Sequence, residues 1–360
     1  SKTDGSSEYL TGYLGKKNNK VYFISDRNYI KYDISSSDLI ESTASADNTN
    51  LRIQTQFTAE SAAGQMVAKF IENISRMSNT EIEIQMFYGS AITKTAETFD
   101  AAVAGIIDCD MTSGAYQTGR DPAFQLTDDL VGLYTNPLQQ IAWLIHGDGY
   151  KAMNDLYNVH DMEFVGWWIP GPISFSSSNS IGGIAYLKDW RFRTSSNLNY
   201  TVFSNLGSSP IIIDFNDIPN AIRTGVLNGA YAANLNEKGE LALYDISNRE
   251  SFPGFHSMPA SHLACRKGVW DSMPINHQSI IKAGMQSLAL ESNATNEIKN
   301  AQTIKALLQN EVTLYKWSNA ALGEYRSTIK SSLTKFATTK EAKKLLSSHI
   351  KFLTEMGVLE

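Results

Sequence analysis

Cysteine is nearly absent from this sequence. There are two in 360 residues, Cys109 and Cys265, and neither sits in a CxxC pair, which argues against a cysteine-based zinc site or a thioredoxin-like redox motif. Each lies in an apolar, strand-like run. A bond between them would need close α-carbons, so two buried free thiols are the expectation. Histidine is scarce too, with six in the chain. His256 and His262 are the nearest pair, at a spacing that suits neither one helix face nor a usual zinc pair, and no metal is expected. Long hydrophobic runs are missing: nothing approaches the ~18 apolar residues of a membrane span, and residues 202–215, the most apolar stretch, are broken by Asn, Gly, Ser and Pro. The chain reads as soluble. Positive charge is not in surplus either. A net charge of −6 and a pI near 5.6 exclude the concentrated basic surface that nucleic acid requires, and the C-terminal lysines alternate with apolar residues as on a solvated helix face. No GxSxG, HExxH, Walker or GxGxxG motif occurs, and Ile181-Gly182-Gly183-Ile184 is a turn before a strand. The chain begins at Ser1 with no apolar leader, which fits either removal of an export signal or a cytosolic protein.

What is present is an ordinary globular composition, 42% hydrophobic and 19% charged, on a chain long enough for two lobes. Residues 1–50 stand apart. Short β-prone runs at 9–14, 20–24 and 29–34, split by turn-rich spacers, predict a small antiparallel meander followed by a polar linker. From residue 51 the pattern becomes strand, helix, strand. Residues 51–57 alternate with period two, and Met66, Val67, Phe70, Ile71 and Ile74 recur at helical spacing. Strands at 81–87 and 106–111, with a helix at 95–104 between them, complete a βαβαβ rhythm and predict a mostly parallel sheet. Ligands of such sheets sit beyond the carboxyl ends of the strands, so Phe57, residues 88–90 and residues 113–116 are expected to line a cleft. The chain changes lobes after the strand 164–168, returns through a strand at 261–265, and ends in a long helical stretch from 276 to 317.

Five segments carry a family resemblance: residues 96–108 (AETFDAAVAGIID), 187–193 (LKDWRFR), 218–230 (IPNAIRTGVLNGA), 252–256 (FPGFH) and 268–274 (GVWDSMP). In this order they resemble the periplasmic substrate-binding proteins of TRAP transporters, near the branch of 2-oxoacid and lactate receptors. The resemblance covers residues 51–360 and leaves the first fifty unexplained. It implies a two-lobed α/β periplasmic binding protein of type II, with hinge strands and a lobe-spanning helix. Lobe I would comprise residues 51–172 plus 258–300, and lobe II residues 173–257 plus 301–360. It further implies an exported protein that binds a small organic anion and delivers it to membrane subunits.

In that family the arginine ending the 187–193 segment forms a two-toothed salt bridge with the ligand carboxylate, and the matching residue is Arg193. The planar guanidinium offers a fixed fork that suits a carboxylate or sulfonate. Arg191 falls on the same strand face and is expected to pair with a surface carboxylate. In the 2-oxoacid branch two acidic residues and an indole hold a metal ion beside the ligand. Here those positions read Tyr231, Ala232 and Ser257. Hard cations need several oxygen ligands, so loss of both acids should remove the metal, and no cofactor is expected. The volume vacated at Ala232 could be filled by Trp167 or Trp168, or those indoles could simply seal the core. Tyr116 and Tyr231, which combine ring packing with a hydroxyl, are further ligand candidates, followed by Phe57, Asn234 and His256. A scaffold built on the receptor fold, and an enzyme with dispersed catalytic groups, are the competing readings.

Overall fold

The computed structural model describes residues 10–17, 20–25, 29–33, 48–194, 197–213, 217–231, 234–240, 242–252 and 257–359. Strands β1 (Leu10–Lys17), β2 (Lys20–Ser25) and β3 (Tyr29–Asp33) form an antiparallel sheet in that order. β1 runs through Gly15, Lys16 and Lys17, read from sequence as a spacer, because they pair with β2. This meander belongs to a unit, Ser1–Asp47, distinct from Asn48–Glu360. Most of the expected linker, residues 34–47, lies outside the described residues. Thr49 and Asn50 do not belong to it, since they already pair with Ile82 and Glu83.

The second unit contains two sheets. Its first part runs β4 (Thr49–Thr55), α1 (Ala62–Met77), β5 (Ile82–Tyr88), α2 (Thr98–Val103), β6 (Cys109–Met111), α3 (Ala123–Leu126), α4 (Pro137–His146), α5 (Gly149–Asn158) and β7 (Met162–Trp168). α1 forms where the periodicity placed it. Ser61 caps it by accepting from the Gly64 amide, and Val67, Phe70 and Ile74 are buried. The chain then enters the second sheet with β8 (Phe175–Ser177), β9 (Arg191–Thr194), α6 (Asn197–Asn205), β10 (Ser209–Ile212), α7 (Ile218–Arg223), β11 (Gly229–Tyr231), α8 (Leu235–Glu240) and β12 (Arg249–Ser251). It returns through β13 (Ser261–Arg266), α9 (Lys267–Ser272) and α10 (Ile275–Gln309), and finishes with β14 (Thr313–Tyr315), α11 (Asn319–Phe336) and α12 (Lys340–Glu355). The strand orders are β5-β4-β6-β13-β7 and β10-β9-β11-β8-β12-β14. Within them β5-β4-β6 and β10-β9-β11 are parallel triplets.

Three expectations change. The helix predicted to reach residue 317 ends at Gln309, because the chain supplies β14 as an edge strand pairing in parallel with β12. The C-terminal helices are not confined to lobe II: α11 packs on α6, whereas α12 packs on α3 and α5. One apolar core therefore joins the lobes, with Phe124, Trp143 and Tyr157 on one side, Phe175, Phe192 and Phe203 on the other, and Tyr325, Ile329 and Leu345 between. Last, Cys109 and Cys265 are not free thiols. They are register partners on β6 and β13, with α-carbons 3.9 Å apart, and form a disulfide. Spacing in sequence could not show that the return strand lands beside β6.

α10 packs on α1 and β7 in the first lobe and on α8 in the second. It also fixes the crossing segment: Ser292 Oγ donates to the Ile169 carbonyl, and Asn296 Nδ2 donates to the Pro170 carbonyl at 2.5 Å. The outgoing and returning chains pair at the hinge through Ile173 and Ser257.

Candidate ligand-binding site

Arg193 lies in the last turn of strand before the carboxyl edge of the β10-β9-β11 triplet. Phe192 faces the core joining the lobes, so alternation sends Arg193 to the opposite face. The residue is 8% exposed, and its guanidinium folds over the strand ends, Nε donating to the Ile213 carbonyl at 3.2 Å and Nη1 to the Tyr231 carbonyl at 3.3 Å. Those bonds fix the plane of the fork. Arg191, two residues earlier, is exposed and binds the Asn228 side chain rather than a carboxylate.

The facing edge belongs to the first sheet. Phe57, just past β4, is half-buried and stands edge-on to Trp168 at 5.5 Å. The Trp168 indole N–H is buried with no protein acceptor. Gln54 organises the neighbouring loop, donating to the Thr93 carbonyl and Thr98 Oγ1 and accepting from the Ile92 and Thr93 amides. Ser113 follows β6, bridges to Ser261 and donates its amide N–H to Gln56 Oε1. Tyr116 is 45% exposed at this edge. Burial of its hydroxyl end, with the carboxyls of Asp128 and Asp110 nearby, raises its pKa. Trp167 points the other way, into the joint core against Trp143 at 5.8 Å.

Tyr231 is also turned into the core rather than toward open space. Its hydroxyl donates to Asp129 Oδ2 at 3.0 Å, and Ser257 Oγ donates to the same oxygen at 2.5 Å. Val131 and Met258 amides occupy Oδ1 at 2.9 and 3.3 Å. Asp129 thus ties the segment after α3 to β11 and to the hinge, with its acceptor positions filled. At the positions where the family resemblance implies metal-holding acids, Tyr231 and Ser257 supply uncharged hydroxyls that donate to one carboxylate, whereas hard cations draw chiefly on carboxylate oxygens. Burial raises the Asp129 pKa against these four donors. Asn234, buried at the start of α8, lies so close to Gly171 that a Cβ there would come within 2.7 Å of its amide nitrogen. His256 and Ala232 lie outside the described residues.

Several groups escaped the sequence reading. Asp128 and Asp129 form an acidic doublet between Leu126 and Leu130, a placement that signals buried carboxyls. His262 joins Asp110 through Nε2 at 2.8 Å and the Tyr157 hydroxyl through Nδ1 at 2.8 Å, all inside the core. Lys238 of α8 and Glu250 of β12 form a wholly buried ion pair at 2.8 Å, completed by Ser174 and Ser176. Two open grooves of about 390 and 450 Å³ run along α5 and α12. Their Lys151 and Lys344 already pair with Asp155, so the concentrated buried charge lies at the strand edges.

Comparison with known proteins bears on the family and the fold. The model of bacterial extracellular solute-binding protein family 7 (DctP) matches residues 53–340. A monocarboxylate 2-oxoacid-binding periplasmic protein of Nostoc sp. is 23% identical over 249 residues, which is 69% of this chain and 68% of that relative. A TRAP periplasmic solute-binding protein of Rhodobacter sphaeroides, in an open ligand-free form, superposes with a TM-score of 0.80 at 25% identity, covering 86% of this chain and 99% of the other. One from Pseudoalteromonas atlantica with bound sodium and pyruvate gives 0.72 at 18% identity, covering 86% and 95%. The chain belongs to bacterial extracellular solute-binding protein family 7, the DctP family of TRAP solute receptors.

Proposed function

We propose that this chain works in the periplasm as the solute receptor of a TRAP transporter, binding a small organic carboxylate between the carboxyl edges of its two sheets and passing it to membrane subunits. The observation that carries the reading is Arg193, a buried arginine whose fork is fixed at the ends of three parallel strands. A guanidinium held this way meets a carboxylate without first losing the freedom of a long side chain. The relative from Nostoc is named for 2-oxoacids, and the protein from Pseudoalteromonas holds pyruvate; both point to the same ligand class. The hinge pairing at Ile173 and Ser257 and the spine α10 supply the two-lobed frame that closure needs.

A thermal-shift screen with pyruvate, malonate and longer 2-oxoacids tests it. At 100 times the dissociation constant a ligand adds about 2.7 kcal/mol of stability. At least one carboxylate should raise the Tm of the wild-type chain, and Arg193→Ala should abolish that rise. No shift with any carboxylate tried would overturn the reading.

A further inference from the structure

The carboxyl edge of the first sheet is uncharged and largely aromatic. Strand register orders its residues. Tyr88 ends β5 opposite Thr55 of β4, and the Gly89 amide donates to the Phe57 carbonyl at 2.9 Å, which sets Phe57 beside Tyr88. Thr55 also pairs with Met111 of β6, which leads through Ser113 to Tyr116. Ser113 bridges to Ser261, and Ser261 pairs with Trp168 at the end of β7. Across the five strands the edge therefore reads Tyr88, Phe57, Tyr116, Ser261, Trp168. Ile92 joins it from the loop after β5, where its amide donates to Gln54 Oε1 at 2.9 Å. Residues 55–59, 88–93, 112–119, 167–170 and 257–261 contain no Asp, Glu, Lys, Arg or His.

These side chains are open to contact rather than sealed. Tyr116 is 45% exposed and Ile92 43%, while Phe57 and Tyr88 are half-buried, packed on the first-lobe core. They are also held in place. The buried Trp168 ring meets Phe57 edge-on at 5.5 Å, Ser113 Oγ caps the turn that carries Tyr116 by accepting from the Ala115 amide, and Gln54 fixes the Ile92 loop through two amides. An apolar surface kept partly open on fixed backbone gains from an apolar ligand body, and its rings gain further from edge or offset contact with another ring. A second carboxylate on the ligand would lose its water there and meet no cation.

We propose that the cleft selects monocarboxylates with an aromatic body: Arg193 takes the carboxylate, and Phe57, Tyr88, Ile92 and Tyr116 receive the ring. The inference rests on the receptor reading above and narrows it, from small organic carboxylates at large to those that carry one charge and one ring. Specificity then comes from the first sheet, and the charge grip from the second.

The test is titration calorimetry of the full chain with pyruvate, malonate and phenylpyruvate, the last being pyruvate with a phenyl group added. Phenylpyruvate should bind roughly tenfold more tightly than either of the others, or better. Phe57→Ala and Tyr116→Ala should each cut the preference for phenylpyruvate over pyruvate by about threefold or more. Phe57 also supports Trp168, so Tyr116→Ala, at an exposed ring, carries the test if Phe57→Ala fails to fold. Arg193-dependent binding in which pyruvate or malonate matches phenylpyruvate, or a preference unchanged in Tyr116→Ala, would overturn this proposal and leave the receptor reading standing. No binding of any carboxylate would overturn both.

Discussion

Arg193 commits two of its donors to main-chain carbonyls, and that is what separates it from a generic positive charge. Lysine at this position would keep the charge but could not hold the same plane. Arg193→Lys is expected to fold normally by circular dichroism and to weaken carboxylate binding at least tenfold, or about 1.4 kcal/mol; unchanged affinity by calorimetry would assign the grip to another residue. A motif singled out the arginine in the sequence, but its bonds to the Ile213 and Tyr231 carbonyls could be seen only in the fold. Tyr231 and Trp167 were legible as aromatics but not in direction. A Tyr side chain one position along a strand goes to the core or the cleft according to which face the partner strand covers, and here the core face won, with the hydroxyl satisfied by Asp129. The acidic doublet at 128 and 129 was visible in the sequence, yet its meaning depends on Ser113, Ser257 and Ala260, which lie far from it along the chain.

At the scale of elements, α8 is held by an ion pair with no exposure on either side. Lys238 Nζ reaches Glu250 Oε1 and both the carbonyl and hydroxyl of Ser174. Such a pair costs much of its attraction in lost hydration, but breaking it strands a buried charge. Lys238→Met should lower stability by about 3–5 kcal/mol in urea unfolding, and adding Glu250→Leu should recover most of that loss. A single-variant loss below 1 kcal/mol would mean water enters the site. The pair could not be read from sequence, since α8 carries an ordinary surface-like LNEKGE composition. The strands and helices between residues 51 and 111 were readable because hydrophobic period survives burial, whereas α4, α5 and α8 were not read from the sequence. The end of α10 was not: pairing of β14 with β12 outweighed the helical tendency of residues 310–317.

At the scale of the unit from Asn48 onward, the joint core and the long α10 connect the two sheets. The disulfide adds a restraint on the unfolded chain rather than a new contact in the folded one, and its span of 156 residues is large. Replacing both cysteines by Ala should lower the Tm by roughly 5–10 °C, from a loss of about 3–5 kcal/mol; a Tm within 1 °C of wild type would show that the bond contributes little. The path of the chain gives that bond a topological meaning. Cys109 and Cys265 stand on neighbouring strands of the first sheet, and every strand from β7 to β12 is synthesised between them. Once oxidised, five of the six strands of the second sheet lie on a covalent ring whose clasp is in the first sheet. Even if those five strands melted, both ends of the segment that carries them would stay moored to the first sheet.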